Sequence, residues 1–199
     1  LQIIGRSLGK ETVLHEHYEI AFDQVVQMER MFSELLNYSK PLELQKKDVS
    51  VPALVDRCLQ ELEGELGGKH VRVEQQLPPD LPPIIGDPDK IEQVLINVLK
   101  NALEASPEGG QIRVSAAIEE TPSGAGLTLV VADRGVGISP RNLKIIFKPF
   151  FTTRTKGTGL GLAIVKKIME AHRGSISIQS EEGKGTVVRL TFPSVRGAE

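Results

Sequence analysis

Asp133-Arg134-Gly135-Val136-Gly137-Ile138, followed by Gly157-Thr158-Gly159-Leu160-Gly161-Leu162, is the stretch that decides how this chain folds. The first run closes an alternating apolar segment, Leu127 to Val131, which reads as a strand. The second opens an apolar pattern with helical spacing, Leu160 to Ala171. Glycine admits positive φ and lets other groups approach the backbone closely. One such run is weak evidence, because glycine also simply makes turns. Here two runs flank Phe147 to Lys156, a segment carrying Phe150, Phe151, Thr152, Thr153, Arg154 and Lys156. Aromatic anchors with a cationic, hydroxyl-rich tip suit a hinged cover over phosphates, although a plain surface loop pinned by two Phe residues fits as well. The free N–H groups and positive dipole end of the helix at Leu160 suit phosphate oxygens. No Gly-Lys-Ser/Thr follows, so this is not a P-loop. No strand leads directly into it, so it is not a dinucleotide fingerprint.

Upstream, Asp87-Pro88 starts a helix that runs to about Ala105, with Asp87 as cap and Pro88 as first residue. Ile91, Val94, Leu95, Val98 and Leu99 form its apolar face. Asn97 and Asn101 are spaced i, i+4 and share another face. Their amide oxygens could help hold Mg²⁺ beside phosphates, or they could be ordinary polar residues on a wet face. Asp133, at the end of a strand, could accept a hydrogen bond from an adenine amine. An Asx turn explains Asp-Arg-Gly equally well.

The remaining chain supplies the frame. Leu14, Tyr18, Ala21, Val25, Met28, Phe32 and Leu35 form a heptad seam that predicts a long helix ended by Pro41. Such a stripe needs a partner. Leu1, Ile3, Ile4 and Leu8 could end a partner helix, and two hairpins could meet as a dimer. Ser50 and Pro52 open a second helix with Leu54, Val55, Cys58, Leu59, Leu62 and Leu66 on one face, closed by Gly67-Gly68. Val71 to Gln75, Ile112 to Ile118, Leu127 to Val131, Ser175 to Gln179 and Thr186 to Phe192 alternate as strands, with a hairpin loop at Thr121-Pro122-Ser123-Gly124. Helices and strands mix without regular βαβ alternation. The expected fold is therefore an α/β two-layer sandwich, a mixed sheet with helices on one face, preceded by a helical hairpin remnant.

Composition narrows the class. A net charge of -2 gives no bulk attraction to nucleic acid or an anionic membrane. The single cysteine, Cys58, excludes an internal disulfide framework and reads as a packed core thiol. No apolar run is long enough to span a bilayer. The chain opens at Leu1 inside an apolar pattern, which suggests a piece of something longer.

With these residues in hand, the chain resembles the catalytic region of a bacterial two-component sensor histidine kinase. Its ATP-binding domain belongs to the superfamily shared with gyrase, heat-shock chaperone and mismatch-repair ATPases. Gln93 to Ala102 is similar to the family's N-box and Ile146 to Thr153 to its F-box, with glycine boxes at Asp133 to Ile138 and Gly157 to Leu162. Ala171-His172-Arg173-Gly174 and Gly183-Lys184-Gly185-Thr186 match the segments that follow. The resemblance implies ATP and Mg²⁺ as cofactors, with Asn101 as the metal ligand and Asp133 as the adenine reader. It implies catalytic roles for Asn97 and Lys100, the amide of Asn97 standing where hydrolytic relatives place a glutamate base. It implies nucleotide contacts from Asn97, Gly135, Gly137, Ile138, Phe150, Thr153, Lys156, Gly157, Thr158, Gly159, Leu160, Gly161, Leu162 and Thr186. Glu104 replaces the lysine many members carry, so Lys100, Arg154 and Lys156 become candidates for phosphate charge.

The implied organisation is a partial dimerisation and phosphotransfer hairpin over residues 1–42 and a catalytic domain over residues 43–199. The implied partners are a response-regulator receiver domain and a second copy of the chain, with no nucleic acid and no membrane contact by this piece, in the cytoplasm. No histidine here fits the family's acceptor motif: His15-Glu16 is followed by His17-Tyr18, and the acceptor is expected upstream of Leu1. A nucleotide-binding regulatory module acting through protein contacts is the alternative. A hydrolysing clamp is disfavoured by Asn97.

Overall fold

The heptad seam becomes one long helix. The computed structural model describes residues 13–121, 124–154 and 157–193, and its first element is α1 (Val13–Ser39), which stops just before Pro41. The expected partner segment, Leu1 to Lys10, lies outside the described residues. Val25, Met28 and Phe32 of the seam are exposed. At its C-terminal end, Leu35 and Tyr38 pack against the main core. There Lys167 donates through Nζ to the carbonyls of Tyr38 and, at 2.8 Å, Lys40, and it lies 5.1 Å over the Tyr38 ring. An ammonium at a helix C-terminus satisfies its last carbonyls and complements its dipole. No described helix is long and apolar enough to cross a membrane.

Next comes a two-stranded antiparallel ribbon, β1 (Lys47–Val49) with β3 (Ile84–Gly86), which the sequence did not announce. Between them lie α2 (Val51–Glu61), α3 (Glu63–Gly68) and β2 (Arg72–Gln76). The predicted single helix ending at Gly67-Gly68 is two, broken at buried Leu62 (φ -92°, ψ 1°). Three glycines beyond that point weaken helical continuation. Ser50 is the N-cap residue of α2, but its side chain makes no capping bond.

The main sheet has five strands in the order β2-β4-β5-β7-β6, where β4 is Gln111–Thr121, β5 Gly124–Asp133, β6 Ser175–Glu181 and β7 Gly185–Phe192. The β2–β4 pair is parallel and the other three are antiparallel, so the sheet is mixed. Leu127, Leu129 and Val131 on β5 and Val188, Leu190 and Phe192 on β7 are buried toward one layer of helices, α4 (Pro88–Ala105) and α6 (Gly161–Ala171). This is the expected two-layer sandwich. Asp87 caps α4 as read, accepting from the N–H groups of Asp89 and Lys90.

Two contacts set how α4 and α6 align. The Asp87 N–H donates to Nε2 of His172, just past the end of α6, at 3.0 Å. At the other end, a Cβ placed on Gly161 would lie 3.0 Å from Oδ1 of Asn97. The helices therefore run antiparallel, and both intervals span roughly 15 Å at a rise of about 1.5 Å per residue. Matched intervals fix the register and place the start of α6 beside the middle of α4.

Candidate nucleotide site

One face of α4 organises the site. Asn97, Asn101 and Ala105 recur every fourth residue, so they stand in a row. Asn97 meets the start of α6 at Gly161. Asn101 meets Arg154 from the segment between the glycine boxes. The Ala105 carbonyl accepts from Val136 N–H at 3.1 Å, tying the first glycine box to the end of the helix. Three segments distant from α4 in sequence thus converge on one stripe.

Asp133 ends β5 and is 8% exposed. Its Oδ1 accepts from the N–H groups of Gly135 at 2.8 Å and Thr186 at 3.2 Å. Among the described residues no donor reaches Oδ2, so a buried carboxylate keeps one oxygen unmatched. Such an oxygen is costly unless a ligand supplies the donor. Burial pushes the Asp133 carboxyl above its ordinary range, and the Gly135 and Thr186 N–H groups offset this only in part. The turn that follows is held from the other side: Gly183 N–H donates to Val136 O, and Ile138 N–H to Ser180 Oγ, both at 2.8 Å. Gly137 sits at φ +68°, and a Cβ there would lie 2.1 Å from Glu181 O. Only glycine lets this turn close against the β6–β7 connection.

Asn97 donates through Nδ2 to Gln93 O at 2.8 Å. Asn101 offers Oδ1 to a cation already: Arg154 Nη1 donates to it at 2.8 Å and also pairs with Glu104. The Asn101 amide oxygen is thus taken by the Arg154 guanidinium. An amide oxygen that accepts a cation fits Mg²⁺, which keeps several waters and needs few protein ligands. Lys100 lies to the side of the row, its ammonium 3.1 Å from Glu65 Oε1 on α3.

Gly159 ties the second glycine box to the F-box-like segment. Its φ is +69°, and a Cβ there would lie 2.5 Å from the Phe150 carbonyl carbon. Thr158 Oγ1 accepts from Leu160 N–H at 3.4 Å. The Leu160 side chain is fully buried, which leaves only its backbone for a ligand. Gly157 and Leu162 are half-buried, and Thr153 is exposed. Phe150 is no anchor: it is 53% exposed with φ +65°. Half-buried Phe147 and Phe151 hold the segment, with the Lys166 ammonium 5.7 Å from the Phe147 ring. Lys156 lies outside the described residues.

Sequence reasoning missed two features. Ser180 accepts from Ile138 N–H and lies 2.9 Å from Thr186 Oγ1, binding the first glycine box to β7. The Arg154–Glu104 pair was also missed, although the replacement of the usual lysine by Glu104 was the available signal.

A glycine-walled turn under an unmatched carboxylate oxygen, one helix face away from a cation-binding amide, defines an ATP-binding α/β sandwich domain. The chain belongs to the Histidine kinase-, DNA gyrase B-, and HSP90-like ATPase family, whose profile matches residues 86–196. It is 37% identical over 179 residues to sensor histidine kinase ZraS of Escherichia coli K12, covering 90% of this chain and 38% of that protein. It is 33% identical over 199 residues to sporulation kinase E of Bacillus subtilis, covering 100% of this chain and 26% of that protein. The structure of histidine kinase ThkA in complex with response regulator protein TrrA superposes with a TM-score of 0.76 at 26% identity, over 94% of this chain and 53% of that one. Within the family, this is an ATP-binding catalytic domain of the histidine kinase type. The chain spans less than two-fifths of the length of these two curated relatives.

Proposed function

We propose that this chain binds Mg-ATP and serves, in the cytoplasm, as the catalytic part of a sensor histidine kinase. The γ-phosphoryl group passes to a histidine of a helical hairpin, and an aspartate of a response-regulator receiver domain then takes it. Residues 1–42 are the remnant of that hairpin, through which two copies pair, and residues 43–199 are the catalytic domain. The observation that carries this reading is the row Asn97, Asn101, Ala105 on α4. It gathers the start of α6, the segment carrying Arg154 and the turn after Asp133 around one space.

Asp133 Oδ2 accepts from the adenine amine, beside the backbone of Gly135, Gly137 and Ile138 and the Thr186 side chain. The N–H groups of Gly157 to Leu162 and the dipole of α6 receive phosphate oxygens. Asn101 Oδ1 would hold Mg²⁺, which neutralises charge developing on the phosphates. Phe150 and Thr153 belong to the segment read as the cover, and Lys156 is assigned a phosphate contact by its place in the sequence alone. Asn97 is a neutral amide and a poor general base, so it does not activate water, which suits a kinase that must spare ATP. Its job is to position the start of α6. Catalysis of this kind is mainly positioning and charge neutralisation. Its balance is simple: a nitrogen–phosphorus bond forms as the bond to the β,γ-bridging oxygen breaks, and ADP leaves. Lys100 is engaged by Glu65, and Arg154 is the cation nearest the metal ligand.

We read the accepting histidine as none of the four in this chain: His172 is buried, His70 lies beside Glu108 and, like His15 and His17, lacks the motif. Calorimetric ATP titrations with and without Mg²⁺, on wild type and Asn101→Ala, test the binding half. Mg²⁺ is expected to tighten binding by about tenfold in wild type, or ~1.4 kcal/mol, and to do nothing for the variant. Equal Mg²⁺ dependence in both contradicts the metal assignment. Stable phosphohistidine on His15 or His17 after Mg-ATP treatment would overturn the acceptor assignment.

A further inference from the structure

We propose that Ser180 is a positioning residue that makes the base pocket select an exocyclic amine over an exocyclic oxygen, by drawing the Thr186 hydroxyl proton away from the ligand. The inference rests on the adenine reading of Asp133.

Ser180 lies on β6 opposite Thr186 on β7. Its Oγ has three neighbours: Ile138 N at 2.8 Å, Gly185 O at 2.8 Å and Thr186 Oγ1 at 2.9 Å. A hydroxyl has one proton and two lone pairs. A carbonyl can only accept and an amide N–H can only donate. The Ser180 proton therefore goes to Gly185 O, and one lone pair takes the Ile138 N–H. The remaining lone pair can only receive the proton of Thr186. The opposite order, with the Ser180 proton on Thr186, strips buried Gly185 of this donor and is unfavourable.

Thr186 is thus left with lone pairs alone for any ligand. Its backbone N–H is already committed to Asp133 Oδ1. At this wall the Asp133 carboxylate and the Thr186 hydroxyl both accept, and neither side chain donates. An amine at the six-position of a purine meets its complement there. A six-oxo group meets lone pairs facing lone pairs. A site built to hydrogen-bond one group rejects the mismatched analogue strongly. Removing the Ser180 hydroxyl frees the Thr186 proton, which can then turn toward a six-oxo base.

Adenine and hypoxanthine, the bases of ATP and inosine triphosphate, differ at the six-position and at N1, which accepts in adenine and carries a hydrogen in hypoxanthine. Calorimetric titration of both triphosphates measures the combined preference, and variants of the Ser180–Thr186 hydroxyl pair read the part that this pair sets. Ser180→Ala is expected to lower the ATP-to-inosine-triphosphate affinity ratio by about tenfold, while Ser180→Thr keeps it. In a Thr186→Val background, adding Ser180→Ala is expected to leave the ratio within about twofold, because no hydroxyl proton remains to redirect. Thermal melting checks that each variant folds; if Ser180→Ala does not, Ser180→Cys, a weaker donor, gives the same readout. An unmoved ratio in the single variant, or an equal fall in the Thr186→Val background, overturns the proposal. Asp133→Asn separates the two levels. Unchanged ATP affinity there overturns the adenine reading and this inference together, whereas a loss there with an unmoved Ser180→Ala ratio overturns the role of Ser180 alone.

Discussion

Replacing His172 by Leu should loosen the alignment of α4 and α6 from the end of α6 that lies away from the nucleotide site. The imidazole is 4% exposed. Its Nε2 accepts from Asp87 N–H at 3.0 Å, so the proton sits on Nδ1, which donates to Ile168 O at 2.8 Å. The ring also meets Phe192 edge-on, with centroids 6.5 Å apart. Leucine fills similar volume but leaves a buried N–H without its acceptor, at a cost of about 1–3 kcal/mol. Losing the aromatic contact adds roughly 0.5–1.5 kcal/mol. A total near 3 kcal/mol corresponds to a fall in Tm of about 6–12 °C for a domain of this size. The variant should also lose a pH dependence. Burial, then the Lys46 ammonium, hold the His172 pKa below its ordinary value, against the pull of the Ile168 carbonyl and Asp87. The unfolded chain binds this proton near pH 6.5 and the folded chain only at lower pH. Wild-type stability is therefore full above about pH 6.5 and falls as pH drops toward the folded pKa, with a limiting slope of about 1.4 kcal/mol per pH unit. Thermal and urea melts from about pH 5 to 8 measure both effects. A Tm change under about 2 °C, or the same acid slope in both proteins, would refute this role for His172.

Other perturbations test other contacts. Gly137→Ala places a Cβ 2.1 Å from Glu181 O at a positive φ and should cost about 3 kcal/mol or more in urea melts. Gly64→Ala, in open space on α3, should instead gain up to about 1 kcal/mol, and a loss there would contradict the helical placement. Burial lifts the Cys58 thiol to about 12, so a thiol reagent should label it only after unfolding, and rapid labelling of native protein would show the packing to be wrong. Lys167→Ala removes the bonds to the Tyr38 and Lys40 carbonyls and should speed proteolysis between Ser39 and Lys47, whereas an unchanged digestion rate means the contact does not hold α1. ATP affinity should decline with acid at a higher pH than an ordinary aspartate would give, because protonation makes Asp133 a weaker acceptor and adds an O–H donor facing the amine, and its pKa is raised.

Where the chain carries local signals, sequence and structure agree. Asp87-Pro88 announces α4, and the cap bonds are there. Period-two alternation gives the long strands, and Pro41 marks the end of α1. Three-residue strands show no alternation, so the β1–β3 ribbon was invisible. The break at Leu62 was hidden because the apolar face continues through it to Leu66. At the site, Asn97, Asn101 and Asp133 could be named from residue type and spacing. Their surroundings could not. The clasp of Arg154 on Asn101 and the bonds of Ser180 to Ile138 and Thr186 join residues that meet only once the sheet and helices are packed. Phe150 shows the opposite failure: an aromatic residue looked like an anchor, but a left-handed backbone turns it into solvent.

The central claim is that the unmatched oxygen of Asp133 reads an adenine amine, and an ATP titration of wild type and Asp133→Asn tests it most directly. The asparagine is nearly isosteric but sets an amide donor where an acceptor is needed. Affinity should fall by about 2 kcal/mol or more, roughly thirtyfold, with the melting behaviour of the protein largely retained. ATP binding of equal strength in the two proteins would contradict the account.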